Sequence, residues 1–485
     1  MPISPRLGAE AAAANMAEIA PRYTPQEALI EANRCLFCFD APCIQACPTG
    51  IDVPSFIKKI TTGNLTGAAR TILSANILGA SCARVCPTEV LCEGACVVLD
   101  RDGEAVKIGR LQRYATDHVY ENKIPVLAAA ANRTGKKAAV IGAGPAGLGC
   151  AAELAQLGHQ VVVFEAKPQA GGLNTYGIAY YKMPPRASLA EVEMVRSLGV
   201  EIRCGQEVGV KISAAELERD YDAIFIGIGL GSGARLNVPG EALPEVIGAL
   251  AFIEELHTRP LHQIPIGKRV AVIGGGNTAI DAATQARRLG AEKVLLIYRR
   301  GQEEMPAYEF EQELARTDGV EFVTRAAPLE IMDDGSGHVG ALRLARTQTR
   351  NGKLEIIPGS DWLEPCDMVI TAIGEQKQAG FLKNLFPALE LDKRGVIVHN
   401  PETRQTNLPK VFTGGDCANG GREVVNAVAE GKKAARGIHA FLAGEQVTGP
   451  VQSSRLGVSG APVGAGFDRP IRVRELELAY AKTGK

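Results

Sequence analysis

One glycine-rich turn occurs twice in this chain, and each copy dictates the same local architecture. Lys137 to Gly142 reads as a buried strand ending in Gly142-Ala143-Gly144-Pro145-Ala146-Gly147. A helix follows to about Leu157, with Gly158 past its end, and then a second strand, Gln160 to Glu165. About 132 residues later the pattern repeats: strand Arg269 to Ile273, the turn Gly274-Gly275-Gly276-Asn277-Thr278-Ala279, a helix to about Leu289, and a strand Lys293 to Tyr298. Glycines allow a tight turn and leave the backbone N–H groups of the helix N-terminus open to a pyrophosphate, so each copy reads as a dinucleotide-binding strand–helix–strand unit. The chain has 54 glycines in 485 residues and no short repeat, which fits nucleotide-binding turns.

The two copies differ at the ends of their second strands. Glu165 closes the second strand of the first copy, 23 residues after Gly142, where a carboxylate takes ribose hydroxyls. Gly171-Gly172-Leu173 comes next, a pattern associated with FAD in flavoproteins that bind two dinucleotides. The second copy ends in Arg299-Arg300. Guanidinium forks suit a 2′-phosphate, yet Glu303 and Glu304 come soon after, with no base before Ala307. The expectation is NAD(P), with the choice open. Asp222 to Gly229, Met368 to Gly374 and Lys410 to Thr413 read as further strands near the cofactors, the last followed by Gly414-Gly415-Asp416. The FAD domain is therefore split and the NAD(P) domain is inserted in it.

Eight of the 12 cysteines lie in the first 96 residues. Cys35-x2-Cys38-x4-Cys43-x3-Cys47-Pro48 is one run, and Cys82-x3-Cys86-Pro87-x4-Cys92-x3-Cys96 is the other. A Cys-Pro pair ends an iron–sulfur run, and its cysteine often crosses to the other cluster. The expectation is two [4Fe–4S] clusters. Zinc would use paired C-x2-C knuckles at matched spacing, and only one C-x2-C occurs. Thr24-Pro25-Gln26-Glu27 is a capping box that launches a helix toward Cys35, and Asn64 caps a helix to about Ser74. The fold class is thus α/β: a small α-helical iron–sulfur domain followed by two Rossmann-like nucleotide-binding domains, the second inserted in the first.

Composition excludes other classes. A net charge of −1 steers nothing toward nucleic acid or an anionic membrane. No basic-then-apolar leader is present, and the longest apolar stretch, Ala138 to Ala152, is interrupted by glycine and proline and too short for a bilayer. A cytoplasmic protein is expected, in which clustered thiols mean metal. Hydride delivers two electrons and clusters carry one at a time, so a flavin between them completes a path. No side chain need act as acid or base, and no catalytic residue is assigned. Cys150, Cys204, Cys366 and Cys417 form no disulfide-reductase pair. There is no room for a substrate barrel of about 250 residues, so electrons leave for another subunit. The rival of another class is a zinc-stabilised scaffold.

The motifs Cys38-Phe39-Asp40-Ala41-Pro42-Cys43, Cys47-Pro48-Thr49, Cys86-Pro87-Thr88 and Ile108-Gly109-Arg110-Leu111-Gln112 resemble those of the N-terminal half of dihydropyrimidine dehydrogenase, over about Cys35 to Phe441. That resemblance implies one cluster on Cys35, Cys38, Cys43 and Cys96, and another on Cys47, Cys86, Cys92 and Gln112, with Cys82 left out. It implies FAD contacts at Gly142 to Ala146, at Glu165 to Leu173 with Gly172 among them, and at Gly415 and Asp416, with Gly147 completing the turn. It implies NAD(P) contacts at Gly275, Gly276, Asn277, Thr278, Arg299, Arg300, Ala372, Ile373 and Gly374. Lys182 stands where the mammalian form has Arg near the flavin. The glutamate synthase small subunit shares the layout but has an acid at the position of Gln112, which tilts the reading toward pyrimidine reduction. The implied partner is an FMN-binding barrel subunit holding the pyrimidine site, in a hetero-oligomer. The expected partition is 1–132 cluster domain, 133–233 and 377–446 FAD domain, 234–376 NAD(P) domain, and 447–485 a Gly-, Pro- and Ser-rich tail with one short helix.

Overall fold

Both glycine turns sit where a central parallel strand hands over to a helix. In the computed structural model, which describes residues 3–445, the first copy is strand Lys137–Ile141, helix Pro145–Gln156 and strand Gln160–Phe164, paired in parallel with Ile141 opposite Phe164. Glu201–Arg203 extends the sheet on one side, and Ala223–Ile226 and Val411–Thr413 on the other. The second copy is strand Arg269–Ile273, helix Asn277–Arg288 and strand Lys293–Tyr298, flanked by Val320–Thr324 and by Met368–Thr371 and Val246–Gly248. Every strand pair in these two five-stranded sheets is parallel. Their central strands are continuously apolar, as a sheet covered on both faces requires. The expected tail lies outside the described residues.

The chain divides into two units. The larger takes Ala20–Ala170, Ser188–Gly229 and the chain from Ala379 on. It holds the helical lobe and the first sheet. Thr24 accepts from the Glu27 N–H at 3.2 Å while Glu27 accepts from the Thr24 N–H at 2.7 Å, which starts helix Pro25–Ala32 three residues before Cys35. Asn64 accepts from the Gly67 N–H and starts helix Leu65–Ala75. Phe56, Ile57, Ile72, Ile108 and Leu111 form the core of this lobe. Ile77 and Leu78, from the turn before helix Gly79–Val85, are buried in one core with Val140, Leu148, Val192 and Val428 of the sheet lobe.

The smaller unit takes the chain to Ile19, Gly171–Ala187 and Leu230–Gln378. Residues to Ile19 were expected in the cluster domain; instead Met16 is buried with Tyr181, Phe252 and Ile280, and Ser4 bridges to Ile266. Gly171–Ala187, read as part of the FAD domain, joins this unit for the same reason: Tyr181 is fully buried in its core and its hydroxyl donates to Asp281. The unit also carries an unforeseen antiparallel sheet built around Val339–Arg350, which pairs with Ala326–Asp333, Lys353–Ile356 and Trp362–Pro365.

Candidate functional site: two thiol groups and two glycine turns

The helical lobe gathers the cysteines into two sets. Cys35 and Cys38 lie on the loop after helix Pro25–Ala32, Cys43 on the short helix Pro42–Gln45, and Cys96 just before helix Val97–Asp102. All four line one cavity with the apolar side chains of Leu36, Val53, Ile57 and Ile108, and no charged side chain lines it. Phe37 and Asp40 adopt left-handed backbone (φ +50° and +47°), which folds the loop back on itself. Burial, reinforced by the neighbouring thiols, pushes Cys35 up to about 11 and Cys43 up to about 12. Thiols so crowded cannot all ionise by themselves, and a cationic iron–sulfur core would supply the compensating charge. The donor set fits such a group.

The second set is Cys47, Cys86 and Cys92. Cys86 lies against Cys82, Cys47 and Cys92; a hydrogen bond from its thiol to Cys82 and then burial hold it far above the ordinary thiol range. Cys92 is raised too, first by burial and then by the charges of Glu93 and Cys47. Gln112 is 7% exposed on helix Ile108–Glu121. Its Nε2 donates to the Gly79 carbonyl at 2.6 Å, which leaves the amide oxygen, the atom a metal would take. Cys82 is buried, accepts from Asn76 Nδ2 at 3.1 Å and abuts Cys86.

The larger unit also assembles the first turn. Gly142 has φ +96°, and a methyl there would lie 2.5 Å from the Gly227 carbonyl oxygen. A methyl at Gly147 would meet the Gly142 carbonyl oxygen at 1.9 Å. Gly144 precedes helix Pro145–Gln156, whose terminus has no side-chain cap and so presents free N–H groups. Glu165, 8% exposed, accepts from the Ala143 and Lys167 N–H groups, both at 2.8 Å. Gly415 approaches so closely that a methyl would lie 2.8 Å from the Ala146 side chain. The structure thus brings Gly142 to Gly147, Glu165, Gly415 and Asp416 together. Sequence reasoning missed Glu430, whose carboxylate accepts from the Gly415 N–H at 2.8 Å and from Asn419, and pairs with Arg404 at 3.2 Å.

Gly172, Leu173 and Lys182 belong to the smaller unit. Lys182 is buried between Asp281 at 2.6 Å and Glu311 at 2.5 Å. Burial works against its charge, but the two carboxylates outweigh it and raise the ammonium above the ordinary lysine range. In the second turn a methyl at Gly274 would lie 2.2 Å from the Ala372 carbonyl oxygen, and one at Gly275 2.4 Å from the Tyr298 ring. These contacts bring Gly275, Gly276, Asn277 and Thr278 beside Ala372, Ile373 and Gly374. Asn277 accepts from the Tyr308 N–H at 3.0 Å. Arg299 and Arg300 are exposed at the strand end. The two acids expected to oppose a phosphate are engaged: Glu303 with Arg325 at 2.9 Å, Glu304 with the Gly301 N–H at 3.1 Å and with Arg300 at 3.9 Å. Arg325 is a base next to Arg300 that the sequence pattern does not reveal; its N–H donates to the Arg300 carbonyl.

All twelve cysteines are free, and no helix among the described residues is long and apolar enough to cross a membrane.

Residues 12–124 match a family described as dihydropyrimidine dehydrogenase domain II, 4Fe-4S cluster, and residues 136–431 match pyridine nucleotide-disulphide oxidoreductase. The chain is 36% identical over 446 residues to the glutamate synthase [NADPH] small chain of Escherichia coli K12, covering 88% of this chain and 93% of that protein. It is 34% identical over 427 residues to the NAD-dependent dihydropyrimidine dehydrogenase subunit PreT of the same organism, covering 88% and 97%. Among solved structures, FprA of Mycobacterium tuberculosis shares the fold at TM-score 0.53 and 20% identity, over 64% of this chain and 85% of that one.

Proposed function

The chain belongs to the pyridine nucleotide-disulphide oxidoreductase family with an iron–sulfur domain ahead of it, and on that premise we propose that it is the electron-input subunit of a dihydropyrimidine dehydrogenase. It is an NAD(P)H-dependent flavin and iron–sulfur electron-transfer module; the proposal concerns where the electrons go. When bound, the flavin exchanges a hydride for single electrons and the clusters carry those electrons onward. The chain's own residues would hold these groups. The open N–H groups after Gly144 would take the FAD pyrophosphate, and Glu165 the ribose. The Gly275 to Thr278 turn and Arg299 would hold NAD(P). Cys35, Cys38, Cys43 and Cys96 would bind one cluster, and Cys47, Cys86, Cys92 and Gln112 the other.

Gln112 carries the pyrimidine reading. A buried glutamine whose amide nitrogen is committed to Gly79 offers a neutral oxygen beside the helix that ends at Cys86. The resemblance to dihydropyrimidine dehydrogenase asks for such a ligand. The partner is then an FMN-binding barrel subunit that interconverts uracil or thymine and the 5,6-dihydro forms. One observation favours a second reading: identity to the glutamate synthase small chain is as high as to PreT. Co-expression separates them. The chain with the barrel subunit reduces uracil with NAD(P)H, and the chain alone reduces only an artificial acceptor. Uracil turnover by the chain alone, or activity only with a glutaminase-bearing large subunit, overturns the proposal.

A further inference from the structure

We propose that Arg325 sets the nucleotide preference of the second turn: by pairing with Glu303 it keeps that carboxylate from opposing a 2′-phosphate, and so selects NADP(H) over NAD(H). This rests on the reading of Gly275 to Thr278, Arg299 and Arg300 as the NAD(P) site. The two glycine turns share a register. Ile141 lies opposite Phe164 and Ile273 opposite Ile297, so Glu165 and Tyr298, each one residue on, hold the same position. Glu165 accepts from the Ala143 N–H of its turn. Tyr298 instead lays its ring against Gly275 and donates its hydroxyl to the Glu304 carbonyl at 2.9 Å. The second copy therefore has no carboxylate at the position where an acid takes ribose hydroxyls, and Arg299 and Arg300 come next.

Arg325 reaches this edge from the neighbouring strand. Thr324 lies opposite Tyr298 in the parallel pair, and the Arg325 N–H donates to the Arg300 carbonyl at 2.9 Å. Its backbone is left-handed at φ +52°, a conformation that residues other than glycine rarely adopt. One guanidinium nitrogen donates to Glu303 at 2.9 Å. The two carboxylates are held differently. Glu304 accepts from the Gly301 N–H at 3.1 Å, so the main chain fixes it. Glu303 has Arg325 as its one ion-pair partner among the described residues. Arg299, Arg300 and Arg325 against Glu303 and Glu304 leave one excess positive charge. Without Arg325 that excess is gone, and Glu303 becomes an unpaired carboxylate shortly after Arg300. An unpaired carboxylate repels a phosphate and accepts from a ribose hydroxyl, so its release favours NAD(H).

The test titrates the full FAD-loaded chain with NADP+ and with NAD+ by calorimetry. The wild type is expected to bind NADP+ more tightly. Arg325→Gly, which suits the left-handed backbone, is expected to weaken NADP+ up to about fivefold, the scale of an exposed charge pair, without weakening NAD+. Adding Glu303→Gln to that variant recovers most of the loss. Should the glycine variant not accumulate, Arg325→Asn removes the charge in its place and also tolerates the backbone. Unchanged affinities overturn the proposal. Equal weakening of both nucleotides also overturns it, because Arg325 is then only structural. So does a double variant as weak as Arg325→Gly, because Arg325 then meets the phosphate itself and does not act through Glu303. A wild type that prefers NAD+ overturns the proposal and leaves the site standing. Binding of neither nucleotide defeats the NAD(P) reading itself, and this proposal with it.

Discussion

Glu191 shows what one buried carboxylate does to this fold. It sits on helix Pro185–Ser197, fully buried, and accepts from the Ala80 and Ser81 N–H groups at 2.8 and 2.9 Å and from the Ser81 hydroxyl. Burial pushes it up to about 7, although those hydrogen bonds and Arg84 pull the other way. A carboxyl raised in the folded state binds its proton more tightly there than in the unfolded chain. Its contribution to stability is fully present below about 4.5, the ordinary value, and is lost as pH rises to about 7. A shift of that size corresponds to about 3 kcal/mol. Glu191→Gln keeps an acceptor for the two N–H groups and removes the charge. Its thermal midpoint should match the wild type near pH 5 and exceed it at pH 8. A gap between the two proteins that does not change with pH would refute the assignment.

At the level of elements, the first glycine turn depends on a helix that sequence proximity does not reveal. Helix Val424–Ala443 crosses helix Pro145–Gln156 so closely that a methyl at Gly431 would lie 2.1 Å from the Ala146 carbonyl oxygen, and one at Gly149 3.0 Å from that of Val428. Gly431→Ala must push the helices apart, at a cost of about 1–3 kcal/mol. The same shift moves Ala146 and Glu430, which border the flavin loop, so the purified variant should carry less FAD per chain. Normal FAD content with unchanged stability would show that the crossing tolerates the methyl. The turns, strands and caps were legible because their signals are local: Thr24 and Glu27 satisfy each other within one turn, and Gly147 closes on the Gly142 carbonyl within the first glycine turn. Glu191 with Ser81, Lys182 with Asp281 and Met16 with Tyr181 were not, because each pair joins residues about 100 or more apart. The antiparallel sheet escaped because Ala326–Asp333 is mostly half-buried and lacks a clean alternation.

At the level of the molecule, the larger unit holds both the thiol lobe and the first glycine turn, and the two share a core. Ile77 and Leu78, next to the helix that carries Cys82, are buried with Leu148 and Val428, which lie behind the turn. That core is apolar, with Phe225 and Phe412 among its aliphatic side chains, and contains none of the eight N-terminal cysteines. The fold around the turn is therefore expected to survive loss of iron, whereas delivery to the proposed partner is not. Extracting iron with an oxidant and chelator should erase the cluster absorption and leave FAD bound. NAD(P)H-dependent reduction of a small dye that takes electrons from the flavin should remain within about twofold, since the residues proposed to hold FAD, from Gly142 to Glu165 with Gly415, are unaltered. Electron delivery to the partner subunit should stop, and should return when iron and sulfide are restored. If dye reduction and flavin content fall in step with the iron, the metal holds the core together and the separation of roles argued from it is wrong.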